Sequence, residues 1–328
     1  MTTKSTIFSR PKLYEKLATE IGTTPLLEQQ PLEDVWTKFE SANPSGSHYD
    51  RAYCENIAAL EIAGAIRPGD ELRDISSGSA GISLSYLASR LEYNARILVP
   101  SELPEARVKP MRDLGAQAIC TGSGYVEQAS KVQLDDMLRF KGDPNYTRIF
   151  FDRATTGMKA VIFENNENGK RVCFLNHSEN PATVDAFTTI AHEIIDEAPR
   201  PFDAVALALG NGTTICGIAP VLKHAWPDTT IIGYTGRRDE PIENFGTATV
   251  NTDVPLTYQK PALDLLDQLV EVGADARDTM HSRINNDLPR EQQMGRSSLL
   301  GLVTAAKYQE EHPGSLVLTI GYDTMNRY

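Results

Sequence analysis

The chain has 328 residues, 41% hydrophobic and 23% charged, which suits about two domains with real cores and excludes a disordered or collagen-like protein. Its 32 Lys and Arg against 44 Asp and Glu give a net charge of −12, so duplex nucleic acid and anionic membranes have no electrostatic reason to bind it. A small anion held by backbone amides is still allowed. Cys54, Cys120, Cys173 and Cys216 are too few for a disulfide scaffold and wrongly spaced for zinc, so no metal site is expected. With no apolar signal core at the start and no apolar run of about 18 residues, a soluble, cytoplasmic protein is expected.

The pattern predicts a strand over Val35–Phe39, a helix from about Asp50 to Ala65, a strand over Arg73–Ser76 and a helix over Ile82–Leu91. A strand at Ala95–Val99, a helix at Glu105–Leu114 and a strand at Gln117–Cys120 follow. This βαβα rhythm argues for a parallel sheet covered on both faces. A helix over Val126–Phe140 comes next, then loop compositions at Lys141–Asn145 and Glu164–Gly169. The second loop lies between Ala160–Phe163 and Arg171–Leu175, a candidate hairpin. After Pro199 the rhythm resumes with a strand at Phe202–Leu209, a helix at Thr214–Ala225, a strand at Thr229–Tyr234, a helix at Arg296–Glu311 and a strand at Ser315–Ile320. The fold class is α/β, with two domains, each a mostly parallel twisted sheet flanked by helices.

Three loops suit chemistry. Gly210-Asn211-Gly212-Thr213-Thr214 follows a buried strand and opens a helix, where unpaired N–H groups and the helix dipole favour an anion such as phosphate. The same composition also serves a tight turn with an N-cap. A nicotinamide dinucleotide site, with Arg237-Arg238 on a 2′-phosphate, is disfavoured because Ile215 stands where the fingerprint needs Gly or Ala. Ser76-Ser77-Gly78-Ser79-Ala80-Gly81 opens another helix, with Ser79 as its expected cap. Asn43 to Arg51 is a polar turn feeding a third. His192-Glu193 lacks the second histidine of a zinc helix and reads as a solvated face.

In order, these segments resemble the fold-type II family of pyridoxal-phosphate (PLP) enzymes, which is tryptophan synthase β-like in fold and includes cysteine synthase and cystathionine β-synthase. Ile21-Gly-Thr-Thr-Pro-Leu26 resembles the family's "IGxTPL", Asn43 to Arg51 its "NPxGSxKDR", and Ser76 to Gly81 its "TSGNTG". Asn176 to Ala182 resembles "NQFxNPA", Gly210 to Thr214 "GTGGT", and Gly295-Arg-Ser-Ser298 "GISSG". The resemblance implies a small mobile domain at 42–148, set in a larger phosphate-binding domain of 1–41 plus 149–328, with the cofactor in the cleft between. It puts Gly210 to Thr214 on the phosphate and Ser297 on the pyridine nitrogen. Ser76, Ser77, Gly78, Ser79, Ala80 and His177 would face an amino-acid-like substrate, in a homodimer.

One departure stands out. The family's Schiff-base lysine falls on Tyr49, its substrate-side asparagine on Ser79 and the next threonine on Ala80. A phenol cannot form an imine; with an ordinary pKa of about 10 it donates a hydrogen bond or shuttles a proton. Lys38 and Lys223 read as structural or surface residues, since a catalytic amine needs desolvation at the cofactor. The resemblance therefore implies non-covalent PLP, or a preformed PLP–substrate aldimine, in β-elimination or β-replacement on an amino acid. Tyr49, His48 and Ser79 would be the catalytic groups. The alternatives are a PLP-independent enzyme that holds another phosphorylated or carboxylated substrate in the old cofactor site, and a non-catalytic sensor or partner subunit.

Overall fold

The computed structural model describes residues 10–76, 78–101, 103–122, 125–153, 157–237 and 257–328. The apolar runs become strands and the segments between them helices. First come helix α1 (Pro11–Glu20), strands β1 (Leu26–Glu28) and β2 (Val35–Lys38), and helix α2 (Tyr49–Ile62). Then alternate β3 (Glu71–Ile75), α3 (Ser79–Arg90), β4 (Asn94–Val99), α4 (Glu105–Asp113), β5 (Gln117–Cys120) and α5 (Tyr125–Gly142). Three strands follow, β6 (Tyr146–Arg153), β7 (Met158–Asn165) and β8 (Arg171–Phe174), and then α6 (Pro181–Glu197), β9 (Ala204–Ala208), α7 (Thr213–Ala225) and β10 (Thr230–Gly236). The chain ends through α8 (Gln259–Asp264), β11 (Gln268–Val272), α9 (Ala274–Asn285), α10 (Arg296–Glu311) and β12 (Val317–Ile320).

Each element expected from the pattern is present, with ends shifted by up to about three residues. The added strand β6 gave a weak signal because it is an edge strand, with Ile149 and Phe151 only partly buried against the core and Phe150 62% exposed. Helix α6 was not among the expected elements, although Ala186, Phe187, Ile190, Ala191 and Ile194 recur at helical spacing and are all buried.

Contacts divide the chain into two units, Met1–Ile21 with Tyr49–Thr183 and Gly22–His48 with Val184–Tyr328. The first holds a sheet of order β5-β4-β3-β8-β7-β6, parallel from β5 to β8 and antiparallel beyond. The sequence reading grouped 149–183 with the larger domain. In the structure these residues join the first unit, because β8 pairs with β3 (Arg73 opposite Phe174). The second unit holds the order β1-β2-β12-β9-β10-β11, parallel except for β1. Among the described residues no helix is long and apolar enough to cross a membrane.

A carboxylate cluster pins α1 onto the first unit. Glu61 accepts hydrogen bonds from Arg10 Nε (3.1 Å), the Tyr14 hydroxyl (2.9 Å) and the Tyr93 hydroxyl (2.8 Å). Burial alone would raise the Glu61 pKa, but the hydrogen bonds from Arg10, Tyr93 and Tyr14 outweigh it and hold the carboxyl below its usual range. A lowered folded pKa means stability present above the unfolded value of about 4.3 and lost as pH falls through the folded one. Glu61→Gln is therefore expected to cost about 1–2 kcal/mol at neutral pH and to flatten the acid limb of the stability–pH curve, read by urea unfolding. An unchanged acid limb would remove Glu61 from that role.

In the second unit a wholly buried lysine sits on β2. Lys38 Nζ donates to the Thr24 carbonyl (2.6 Å) and meets Glu193 (2.9 Å) and Glu197 (3.1 Å), tying β2 to α6. Beside it, Glu40 accepts from the Thr24 hydroxyl (2.6 Å) and from Asn43 Nδ2 (2.8 Å), and Asn43 Oδ1 accepts from the Gly22 amide (2.9 Å). The Gly22–Leu26 and Asn43–Ser47 motifs are thus stapled to each other by polar groups.

Candidate functional site

In the second unit the strand order reverses between β9 and β12, and the carboxyl ends of strands at such a point are where open α/β sheets bind ligands. The chain leaving β9 is the Gly210–Thr214 loop. Gly212 caps α7 with φ +90°, and a Cβ there would collide with the Tyr258 carbonyl, so only glycine fits. At Gly210 a Cβ would meet nothing within 4 Å among the described residues, so the loop backbone is open to them on that side. The 13-residue helix behind directs its dipole and first amides at this opening. Asn211 Oδ1 accepts from the Thr213 amide (3.1 Å) and hydroxyl (2.7 Å) and fixes the turn. An open glycine at a helix N-terminus fits a phosphate; the Thr213 hydroxyl is already engaged within the loop.

His48 Nε2 lies 3.2 Å from the Thr214 hydroxyl, and its buried ring packs on Phe187 (4.8 Å) and Tyr322 (5.2 Å). His48, expected as an acid–base group beside Tyr49, is thus packed against the Gly210–Thr214 loop. Adjacent residues diverge here, since His48 closes the second unit's segment and Tyr49 opens α2 of the first. The Ser297 hydroxyl makes no hydrogen bond among the described residues, while its carbonyl accepts from Tyr234 (2.9 Å). Ser298 Oγ instead accepts from the Tyr322 amide (2.9 Å), so of the two serines in the first turn of α10 only Ser297 keeps its hydroxyl for a ligand.

In the first unit the strand order reverses between β3 and β8. The loop after β3 is held by Ser76, whose Oγ accepts from the Gly78 (3.0 Å) and Gly81 (2.7 Å) amides. Ser76 therefore does the work expected of Ser79, which is the first helical residue after the Gly78 cap. Gly78 has φ +147°, and a Cβ there would press on the buried Arg107 guanidinium. Ala80 is buried in the hydrophobic core, and Ser77 lies outside the described residues. His177 follows β8, and its buried ring meets Tyr49 edge to face at 5.1 Å. Asp74 Oδ2 lies 3.2 Å from His177 Nδ1 and accepts from the Tyr53 hydroxyl (2.9 Å).

Sequence reasoning passed over Asp74, Tyr53 and Tyr322. An acidic residue inside a buried strand run was the one signal for the first of them. Among the described residues no cluster of His, Cys, Asp or Glu is placed to hold a metal ion. Glu193, on the excluded zinc motif, holds Lys38 and the Thr23 amide (2.9 Å). Lys223 pairs with Asp267 (2.8 Å), and Arg238 of the dinucleotide alternative lies outside the described residues.

Two helix-flanked sheets, one with a glycine loop opening a helix at its switch point, define the fold class of PLP enzymes of fold type II. The model of the pyridoxal-phosphate dependent enzyme family matches residues 17–281, and the chain belongs to that family, which implies PLP as the cofactor. It is cysteine synthase-like: cysteine synthase B of Salmonella typhimurium is 26% identical over 318 residues, covering 94% of this chain and 92% of the relative. Two solved structures share the fold. A hydrogen sulfide-producing enzyme from Fusobacterium nucleatum has a TM-score of 0.74 at 19% identity, covering 95% of this chain and 98% of the other. O-ureido-L-serine synthase has a TM-score of 0.71 at 22% identity, covering 95% and 92%.

Proposed function

We propose that the protein binds PLP without a covalent anchor and acts on an amino acid by β-elimination or β-replacement, with Tyr49 standing where the family has its Schiff-base lysine. The observation that carries this reading is the combination of a phosphate cradle open at Gly210 with a phenol at the lysine position. Gly210, Asn211, Gly212, Thr213 and Thr214 would form the phosphate site, and Ser297 would meet the ring nitrogen with its uncommitted hydroxyl. When bound, PLP supplies an electron sink for charge developing at the substrate's α-carbon. The chain's own part is to hold the ring and phosphate, to orient the substrate at the Ser76–Ser79 loop, and to move protons at Tyr49. The two substitute lysines weighed from the sequence support the reading. Lys38 is locked between two carboxylates and Lys223 is ion-paired on the surface, so neither is poised as a nucleophile.

The test is a visible spectrum of purified protein with and without added PLP, followed by dialysis, borohydride reduction and intact mass. The expected result is a chromophore that dialyses away and leaves the mass unchanged. A gain of one phosphopyridoxyl group would show that a lysine holds the cofactor and would overturn the role given to Tyr49. No chromophore would overturn PLP binding itself.

A further inference from the structure

We infer that Asp74 and His177 form an oriented proton-transfer pair beside Tyr49, with His177 Nε2 the atom that takes and returns a substrate proton and Asp74 the residue that positions it. The inference rests on the reading above for its reaction, and on the first unit alone for its geometry.

Residues 103 positions apart are brought together by one feature of topology. β3 and β8 run parallel and adjacent, so their carboxyl ends finish side by side where the strand order reverses. Asp74 comes from the first end and His177 from the second. The Asp74 carboxylate is 1% exposed and its oxygens are well supplied with donors. Oδ1 accepts from the Ile75 amide (2.8 Å), and Oδ2 accepts from the His177 amide (3.1 Å) and the Tyr53 hydroxyl (2.9 Å), with His177 Nδ1 at 3.2 Å. A carboxylate so surrounded is an acceptor, so the hydrogen-bond network assigns the imidazole proton to Nδ1. The lone pair then falls on Nε2, which has no hydrogen-bond partner among the described residues.

The ring is also held from the side. Tyr49 and Tyr53, four residues apart on α2, stand against His177 at 5.1 Å and 5.8 Å. Among the described residues the titratable groups facing it are Asp74 on β3 and these two phenols on α2; Glu179, on its own segment, accepts instead from Asn176 Nδ2 (3.1 Å). Burial, and next the charge of Asp74, hold the Tyr53 phenol protonated, so it remains a donor to the carboxylate. A proton leaving the substrate bonds to Nε2, the Nδ1 proton stays in place, and the imidazolium charge is balanced by Asp74. The same proton returns from Nε2 to the leaving group or product, so the pair ends as it began. A carboxylate that fixes tautomer and orientation while the imidazole carries the proton is the division of labour found in Ser-His-Asp sites.

The test uses the full chain. In 15N NMR of the protein without cofactor, His177 is expected as the Nδ1–H tautomer, and Asp74→Asn is expected to shift it toward Nε2–H. With PLP added, exchange of the L-serine α-proton in D2O is expected to fall at least about tenfold in Asp74→Asn and about a hundredfold in His177→Gln, while both variants stay folded and keep the PLP chromophore. An Nε2–H tautomer in the native chain overturns the inference even where a variant fails to fold. So does undiminished exchange in both variants, or a native chain that binds PLP without exchanging serine. Absence of a PLP chromophore in the native chain is a different failure, that of the proposed function, and leaves the tautomer to decide the pair.

Discussion

Gly210→Ala is expected to leave stability within about 0.5 kcal/mol of the native chain while lowering PLP affinity at least about tenfold. Among the described residues the added methyl meets nothing within 4 Å, and the backbone there needs no left-handed conformation, so the fold has no reason to object. The same methyl occupies the space through which phosphate oxygens would approach the amides that open α7. Gly212→Ala provides the contrast. Its φ of +90° costs an L-residue about 1–2 kcal/mol, and its Cβ would lie 2.5 Å from the Tyr258 carbonyl carbon, a backbone atom that cannot swing aside. This variant is expected to lose about 3 kcal/mol or more, with the start of α8 displaced and PLP binding lost as a consequence. Urea unfolding and a PLP titration of both variants separate the cases. Equal loss of stability in both would make Gly210 a fold residue and remove the argument for a cradle.

Tyr49→Lys is expected to turn a cofactor that dialyses away into one that borohydride fixes at position 49, seen as a mass gain of one phosphopyridoxyl group on the peptide containing it. The side chain opens α2 and is partly exposed, so a lysine is accommodated there. The cost is the edge-to-face contact with His177, about 0.5–1.5 kcal/mol. Tyr49→Phe keeps that contact and removes only the hydroxyl. It is expected to bind PLP as the native chain does and to turn over about a hundredfold more slowly, the ordinary size of a lost acid–base group. If Tyr49→Lys binds PLP and stays unlabelled, position 49 is not the lysine position and the motif alignment fails with it.

The two predictions differ in where their premises came from. The glycine loop was readable in the chain itself: a buried apolar run, two glycines, two threonines and a helical pattern make a strand–turn–helix whatever the rest of the molecule does. The α/β class was readable for the same reason, because strand and helix periods are local and sum to a rhythm. Motif order supplied the family and, with it, the proposal that Tyr49 stands at the lysine position. What lay beyond reach were the partners. His48 sits next to Tyr49 in the chain yet packs on Phe187 and Tyr322 and reaches Thr214. Ser79 looked like a cap, but Ser76 accepts the amides. Lys38 carries a charge and is wholly buried, which only carboxylates arriving from α6 make tolerable.

The sequence alone therefore determined the fold class, the family and the place of the Gly210–Thr214 loop between a strand and a helix, since each is written in contiguous residues with a fixed period or order. Tertiary structure alone decided that Asp74 meets His177. That contact exists because β8 adds in parallel beside β3 rather than at the far edge of the sheet, and a choice among possible neighbours for a strand leaves no trace in local spacing.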